Sequence, residues 1–245
     1  MTEMLPTSPA ALAACLDHTL LKPDATPAAV LELCREAAAL GAFAACVNPV
    51  HVAAAAHALA GSATRVCAVV GFPLGASTPA IKAAEAAAAI ADGAAEIDMV
   101  LAIGHLLAGD EQHVARDIAG VVAASAGRTV KVIVESALLD PPTLTRACQI
   151  AVAAGATYVK TSTGMGPGGA TVAAVATMRA AVGPTIGVKA SGGIRDWPSA
   201  RALLAAGATR IGTSQAAALI EGLQAELRGG QPSAAAPAAS AGVTR

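Results

Sequence analysis

Two lysines stand inside segments that otherwise have the composition of β-strands. Lys160 interrupts "GATYVKTS" (155–162), and Lys189 interrupts "IGVKASGG" (186–193). If these strands are neighbours, their backbones lie roughly 5 Å apart. Ammonium groups that close repel each other, and burial also disfavours the charged form, so one lysine should lose its proton readily. A neutral amine can attack a carbonyl carbon and form a Schiff base.

The positions of the two lysines fit this chemistry. Both come late in their predicted strands, where barrel enzymes place their catalytic groups. No acidic residue lies beside Lys160 in the sequence. Because an ion pair would keep the amine protonated, we predict that Lys160 has no acidic partner.

Further charged residues share one face of the predicted strands, because side chains alternate along a strand. In "EIDMV", Glu96 and Asp98 share one face, and Ile97 and Met99 share the other. We expect the aliphatic faces to lie under helices and the charged faces to point inward. The inward set would be Asp17, Glu96, Asp98, Lys131, Glu135, Lys160 and Lys189. The alternative is that these residues lie at a solvated mouth of the barrel and form compensating ion pairs. This alternative applies especially to Asp17, Lys131 or Glu135 taken singly.

Glycines and hydroxyls follow the last two predicted strands and the strand of Lys160. After strands seven and eight of a barrel, such residues form a phosphate site. The predicted phosphate-binding residues are Gly192, Gly193, Gly212, Thr213 and Ser214, with Thr163 and Gly164 of "STGMGPGGAT" extending the same cradle. Glycine-rich loops are often only turns, but adjacent strands favour a site here. The predicted ligand is a carbonyl compound that carries one phosphate.

A repeated pattern supplies the elements that must position these residues. Four segments begin with Gly41, Gly93, Gly155 and Gly207, each after an Ala/Leu-rich stretch, where a helix ends with positive φ. Each continues into a short apolar strand. The other predicted strands are "CLDHT" (15–19), "RVCAVVGFP" (65–73), "VKVIVES" (130–136) and "IGVKASGG". Helical stretches such as "PAAVLELCREAAAL" separate the strands.

Eight alternating strand–helix units predict an α/β fold, a (β/α)8 TIM barrel with a short N-terminal helix. A doubly wound sheet is the alternative. We predict one domain over residues 1–228. Residues 229–245 form a low-complexity tail, rich in Ala, Pro, Ser and Gly, that we expect to be disordered.

Composition argues against several classes of protein. The net charge is −1 and aromatic residues make up 2%, so we expect no nucleic-acid partner. Charges interrupt the apolar runs too often for a membrane span, and we see no signal peptide. The five cysteines are scattered, which indicates buried thiols in a reducing cytosol. We therefore expect a cytoplasmic protein.

These motifs, in this order, resemble the 2-deoxyribose-5-phosphate aldolase family of class I aldolases. The similarity covers about residues 12–221 and runs from "LDHTLLKPDAT" through "CVNP", "VVGFPLGAST", "EIDMV", "VKVIVES", "YVKTSTGMGPGGAT" and "VKASGGIRD" to "RIGTS". The resemblance implies that Lys160 is the Schiff-base nucleophile, that Lys189 lowers its pKa, and that Asp98 moves protons. Asp17, Thr19, Cys46 and Lys131 would be neighbours of the site.

The resemblance implies reversible cleavage of 2-deoxy-D-ribose 5-phosphate to acetaldehyde and D-glyceraldehyde 3-phosphate, as in deoxyribose phosphate catabolism. No metal or cofactor is expected. The five histidines are dispersed along the sequence, although His18, beside Asp17, is a candidate neighbour of the site. Some family members use a C-terminal tyrosine, and this tail has none. We also expect a homo-oligomer, with a dimer favoured.

Two other functions remain open at this stage. One is a Schiff-base barrel aldolase that acts on a different phosphosugar. The other is a phosphosugar-binding barrel without catalysis, which the inward Lys160 and Lys189 disfavour, because binding one phosphate does not require a lysine on strand six.

Overall fold

Short apolar strands that alternate with helices pair in parallel, because each helix returns the chain to the same end of the sheet. A computed structural model describes residues 5–229. Its eight strands pair in parallel in chain order and close into a barrel. The strands are β1 Leu16–Leu20, β2 Ala44–Val47, β3 Arg65–Val70, β4 Glu96–Val100, β5 Thr129–Ile133, β6 Tyr158–Lys160, β7 Gly187–Ser191 and β8 Arg210–Thr213.

The helices surround this barrel. They are α1 Pro9–Ala13, α2 Pro27–Leu40, α3 Val52–Ala58, α4 Pro79–Ala91, α5 Ile103–Leu107, α6 Glu111–Ala124, α7 Pro141–Ala153, α8 Val172–Val182, α9 Trp197–Ala205 and α10 Ala216–Leu227. Short 3-10 helices span Pro49–His51 and Ser136–Leu138. Local sequence sets their ends: Thr26 caps α2 by accepting from Ala29 N–H, and Gly41 ends it with φ 68°.

The predicted (β/α)8 barrel and its short N-terminal helix are confirmed, the latter as α1. Apart from Gly229, the predicted tail of residues 229–245 lies outside the described residues, and the 1–228 domain boundary stays a prediction. Among residues 5–229, no helix combines the length and the apolar character that crossing a membrane requires.

The outward faces of the strands form the main hydrophobic core. Ile97, Met99, Val159 and Val188 are fully buried beneath the helices. A second apolar cluster lies on the β2–β3 side of the barrel and contains Leu21, Ala44, Cys46, Cys67 and Val69. The rest of the interior is therefore available for polar side chains.

Candidate active site

The charged faces of the strands point into the barrel, as the alternation predicts. In the parallel register, Asp98 lies opposite Lys131, and Lys160 lies opposite Lys189. Asp98, Lys131 and Lys189 are fully buried, and Lys160 is 2% exposed. Glu135 is also buried, but it follows β5, where its carboxylate accepts from Thr163 N–H at 3.2 Å. It therefore braces the β6–α8 loop rather than an ammonium group.

Asp98 is the common partner of three ammonium groups. Its Oδ2 atom accepts from Lys160 Nζ at 2.8 Å and from Lys189 Nζ at 2.7 Å. Its Oδ1 atom accepts from Lys131 Nζ at 2.8 Å. The prediction that Lys160 has no acidic partner is wrong, because the partner comes from β4, two strands away, rather than from the sequence beside the lysine.

Six buried residues form a closed ring in which positive and negative charges alternate. In order around the ring they are Asp98, Lys189, Asp17, Arg210, Glu96 and Lys131. Arg210 Nη1 lies 2.8 Å from Asp17 Oδ1 and 3.6 Å from Glu96 Oε2. Lys131 Nζ lies 2.5 Å from Glu96 Oε2, and Lys189 Nζ contacts Asp17 Oδ2. We call these six residues the charge ring.

The charge ring keeps Asp98, Asp17 and Lys189 ionised. Burial would raise the pKa of Asp98, but Lys131, Lys160 and Lys189 outweigh it and hold that pKa well below the ordinary value. Burial is likewise outweighed at Asp17, where Lys189, Lys131 and Arg210 lower the pKa to about 2. The pKa of Lys189 is raised, because Asp17 and Asp98 outweigh its burial. Lys189 therefore keeps its proton.

A cavity of about 340 Å³ opens above Lys160 at the carboxyl end of the strands. Its lining comes from the ends of β1, β6, β7 and β8 and from the loops that follow them. The predicted site residues among the lining are Thr19, Lys160, Thr163, Gly164, Gly192, Gly193, Gly212, Thr213 and Ser214. Lys160, the predicted nucleophile, and the predicted phosphate-binding residues thus share one cavity.

Glycines allow the β6–α8 loop to touch the loop after β7. A Cβ on Gly169 would lie 2.1 Å from the Gly192 carbonyl oxygen. Ala170 N–H donates to the same carbonyl at 3.1 Å. Gly192 and Gly193 follow with φ of 88° and 77°, a conformation that favours glycine. The close contact holds the two loops together at the mouth of the cavity.

The predicted hydroxyl donors are partly engaged inside the protein. A threonine hydroxyl has one proton to donate. Thr213 Oγ1 donates to Ile194 O at 2.7 Å, and Thr163 Oγ1 donates to Glu135 Oε2 at 2.5 Å. Ser214 is exposed on the cavity. Of these three side chains, Ser214 is best placed to donate to a ligand, and the threonines can offer their backbone.

Four further residues of the region are missing from the sequence-based predictions. Lys22 and Arg195 are exposed cations in the cavity lining, and Ser191 is a buried member of it. Their signal lies in "LLKPD" and "SGGIRD", which follow strands with site residues. Arg210 shares the inward parity of Gly212 in "RIGTS", so alternation could have placed it inside the barrel.

The other predicted neighbours of the site divide between the barrel interior and the outside. Cys46 faces inward beside Cys67 in the β2–β3 register, and Thr19 Oγ1 donates to Asp17 O at 2.9 Å. The prediction for His18 is wrong. Its ring points outward, where Nε2 lies 3.0 Å from Glu36 of α2, because its position in β1 has the opposite parity to Asp17.

Two histidines that are separate in the sequence meet in the fold. The rings of His105 and His113 stack with centroids 3.5 Å apart, and Asp110 Oδ2 lies 3.1 Å from His105 Nδ1. Their donor atoms are close enough to share a metal ion. This cluster lies at α5 and α6 and does not line the cavity above Lys160. The expectation of dispersed histidines therefore holds for the sequence but not for the fold.

The chain is similar to known aldolases over most of its length. A sequence profile described as DeoC/LacD family aldolase matches residues 11–223. A Geobacillus sp. (strain WCH70) protein named deoxyribose-phosphate aldolase is 55% identical over 212 residues, which are 86% of this chain and 95% of that protein. A Streptococcus suis (strain 98HAH33) protein of the same name is 52% identical over 211 residues, covering 86% and 96% of the two chains.

A solved structure is similar over the same region. The structure of deoxyribose phosphate aldolase from Aeropyrum pernix, described as tetrameric, superposes with a TM-score of 0.84 and 37% identity. The superposition covers 89% of this chain and 93% of that one. The barrel, the inward lysines and the sequence matches lead to one conclusion: this chain belongs to the DeoC/LacD family of aldolases, and it is an enzyme of the lyase class.

Proposed function

We propose that this enzyme reversibly cleaves 2-deoxy-D-ribose 5-phosphate to acetaldehyde and D-glyceraldehyde 3-phosphate through a Schiff base on Lys160. The observation that carries the proposal is the position of Lys160. Among the buried lysines of the described barrel interior, Lys160 lines the cavity, while Lys131 and Lys189 lie beneath it in the charge ring. An amine at the boundary between a charged interior and a ligand cavity can reach a carbonyl group.

The reaction balances without any added reactant. The neutral amine of Lys160 adds to the aldehyde carbon of the open-chain sugar, and loss of water leaves an iminium ion. Removal of the proton from the C3 hydroxyl breaks the C2–C3 bond and releases D-glyceraldehyde 3-phosphate, and the electron pair of that bond moves into the iminium to form an enamine. Protonation of the enamine at C2 and addition of water release acetaldehyde and the free amine.

We assign the proton transfer at the C3 hydroxyl to Asp98, acting through an ordered water. Because the three ammonium groups hold its pKa well below the ordinary value, Asp98 stays ionised and does not store the proton. It is suited to orient the water and to pass the proton on. Lys189, which keeps its charge, disfavours a second charge on Lys160 across the β6–β7 register.

The phosphate is proposed to bind at the other end of the cavity. Gly192 and Gly193 present successive backbone N–H groups in a conformation that can cradle an anion. Ser214 supplies a hydroxyl, and the exposed side chains of Lys22 and Arg195 add positive charge at the mouth. These residues distinguish a phosphorylated sugar from a neutral one without touching the reacting carbon.

Release of glyceraldehyde 3-phosphate, coupled to a dehydrogenase, tests the proposal. In the synthetic direction, acetaldehyde should condense with glyceraldehyde 3-phosphate, and dihydroxyacetone phosphate should not replace acetaldehyde as the donor. The reverse preference would indicate a Schiff-base aldolase for another phosphosugar.

We also propose that the enzyme is a cytoplasmic homo-oligomer, with a dimer favoured. Light scattering can measure its oligomeric state.

Chelation of metal ions is expected to leave the activity intact. The iminium ion withdraws the electrons that a divalent cation withdraws in metal-dependent aldolases. Cys46, Cys67 and Asp98 lie close enough to share a metal ion, but the ammonium groups on Asp98 would repel it. The measurement is kcat/KM before and after dialysis against EDTA. A loss that zinc restores would contradict the mechanism.

Lys189→Met is expected to lower the rate at pH 7 at least roughly tenfold and to move the pH–rate profile upward. Without the Lys189 charge, the protonated form of Lys160 is less disfavoured, so a higher pH is needed to form the neutral amine. Lys189→Arg keeps the charge and should keep the wild-type profile. An equal loss at every pH in Lys189→Met would assign Lys189 to another role.

A further inference from the structure

The charge ring is electrically neutral, and Lys160 lies outside it. The ring contains three carboxylates and three cations, each between two groups of opposite sign. Within the part of the chain that the structure describes, the ion pair of Lys160 is with Asp98, which the ring already neutralises. The proton on Lys160 is therefore the surplus charge of this network.

Two members of the ring lie far from the cavity. Glu96 and Arg210 are the first residues of β4 and β8 and do not line the cavity. Glu96 comes two residues before Asp98, which places it about 6–7 Å deeper along the strand. The Arg210 guanidinium lies 3.4 Å from the centroid of the Phe43 ring, which supports it at the floor of the barrel.

We propose that Glu96 and Arg210 are positioning residues that set the protonation of Lys160 by completing the charge ring. The inference rests on the proposed function only in taking Lys160 as the nucleophile. Arg210 supplies part of the positive charge that balances Asp17 and Glu96, so that Lys189 and Lys131, which also pair with these two carboxylates, can share their charge with Asp98. Because ring cations already balance the charge of Asp98, this carboxylate stabilises the protonated form of Lys160 only weakly.

We expect substitutions of the two floor residues, Arg210 and Glu96, to shift the pH at which Lys160 loses its proton in opposite directions. Arg210→Met leaves one carboxylate in excess, so Lys160 should keep its proton to higher pH. Glu96→Gln leaves one cation in excess, so Lys160 should lose its proton at lower pH. Removing one unit charge at this depth should shift the pH at which Lys160 loses its proton by about one pH unit. The double variant removes one charge of each sign and should return the profile close to that of the wild type.

Other groups around Lys160 are unchanged in this comparison. From the elements packed against it they are Asp17 of β1, Cys46 of β2, Cys67 of β3, Asp98 of β4, Lys131 of β5, Glu135 after β5, Lys189 of β7 and, on its own strand, Tyr158. Lys22 after β1 and Arg195 after β7 line the same cavity, and Arg65 of β3 lies 4.0 Å from Glu96 Oε1. A shift common to both single variants would point to these groups or to a distorted fold, whereas opposite shifts follow the sign of the removed charge.

The experiment measures the neutral amine directly. Formaldehyde with cyanoborohydride methylates neutral amines, and peptide mass mapping gives the labelling rate of Lys160 between pH 5 and 10 for the wild type and the three variants. Thermal unfolding checks the fold, and Arg210→Lys, which keeps the charge, should label like the wild type. If Arg210→Met does not fold, the inference is still tested by Glu96→Gln, whose labelling profile should shift to lower pH while that of Arg210→Lys stays at the wild-type position.

Opposite shifts that cancel in the double variant support the inference. Shifts in the same direction, or profiles that coincide, overturn it. Because labelling needs no substrate, it is separate from the proposed function: a wild-type enzyme that labels as expected but does not cleave the deoxysugar phosphate would contradict the function alone.

Discussion

Replacing Lys160 by methionine is expected to lower kcat/KM for 2-deoxyribose 5-phosphate by roughly 10⁴-fold or more. The variant lacks the amine that forms the Schiff base, and no other lysine of the interior lines the cavity among the described residues. Borohydride added with substrate should trap an adduct on Lys160 in the wild type and none in the variant. Peptide mapping that places the adduct on Lys189 would contradict the assignment.

The same substitution should leave the fold stable, because Lys160 lies outside the neutral charge ring. Asp98 keeps Lys131 and Lys189 as partners when Lys160 is lost. Lys131→Met is the matched comparison: it removes the ammonium group that lies between Glu96 and Asp98, leaves buried Glu96 without its close partner, and should cost about 3–5 kcal/mol of unfolding free energy. Thermal unfolding of both variants measures the difference. Equal destabilisation would show that Lys160 is part of the structural network.

Replacing Gly193 by valine is expected to lower the preference for the phosphorylated sugar by roughly 10- to 100-fold. Gly193 has φ 77°, which a β-branched residue adopts with strain, and a Cβ there would point into open space where the phosphate is proposed to bind. Losing a hydrogen bond to a charged group costs about 1.5–3 kcal/mol. The measurement is the ratio of kcat/KM for 2-deoxyribose 5-phosphate to that for unphosphorylated 2-deoxyribose.

A second glycine separates phosphate binding from backbone strain. Gly41 ends α2 with φ 68°, and a Cβ on it would also meet nothing within 4 Å. It precedes β2, at the end of the barrel opposite the cavity. Gly41→Val should lose similar stability and keep the ratio of the two sugars. An unchanged ratio in Gly193→Val as well would place the phosphate elsewhere.

The sequence alone determined the elements and the direction of the side chains, because both depend on local physics. A two-residue period decides which side chains share a strand face, so the inward positions of Asp98, Lys160 and Lys189 follow from counting. Positive-φ glycines and helix caps likewise mark the ends of the helices within a few residues. The positions of the loops that we propose to bind phosphate could be predicted for the same reason, since these loops follow strands whose order is known.

Only the tertiary structure decided which charges meet. Asp98 reaches Lys160 across β5, and Arg210 closes the charge ring because β8 pairs with β1. Closing a barrel brings together residues nearly 200 positions apart, as in the Arg210–Asp17 pair. Local pattern carries no information about such distances. The prediction of an unpaired Lys160 is therefore wrong for a physical reason: the charge state of a buried amine depends on every strand around it, not on its neighbours in the chain.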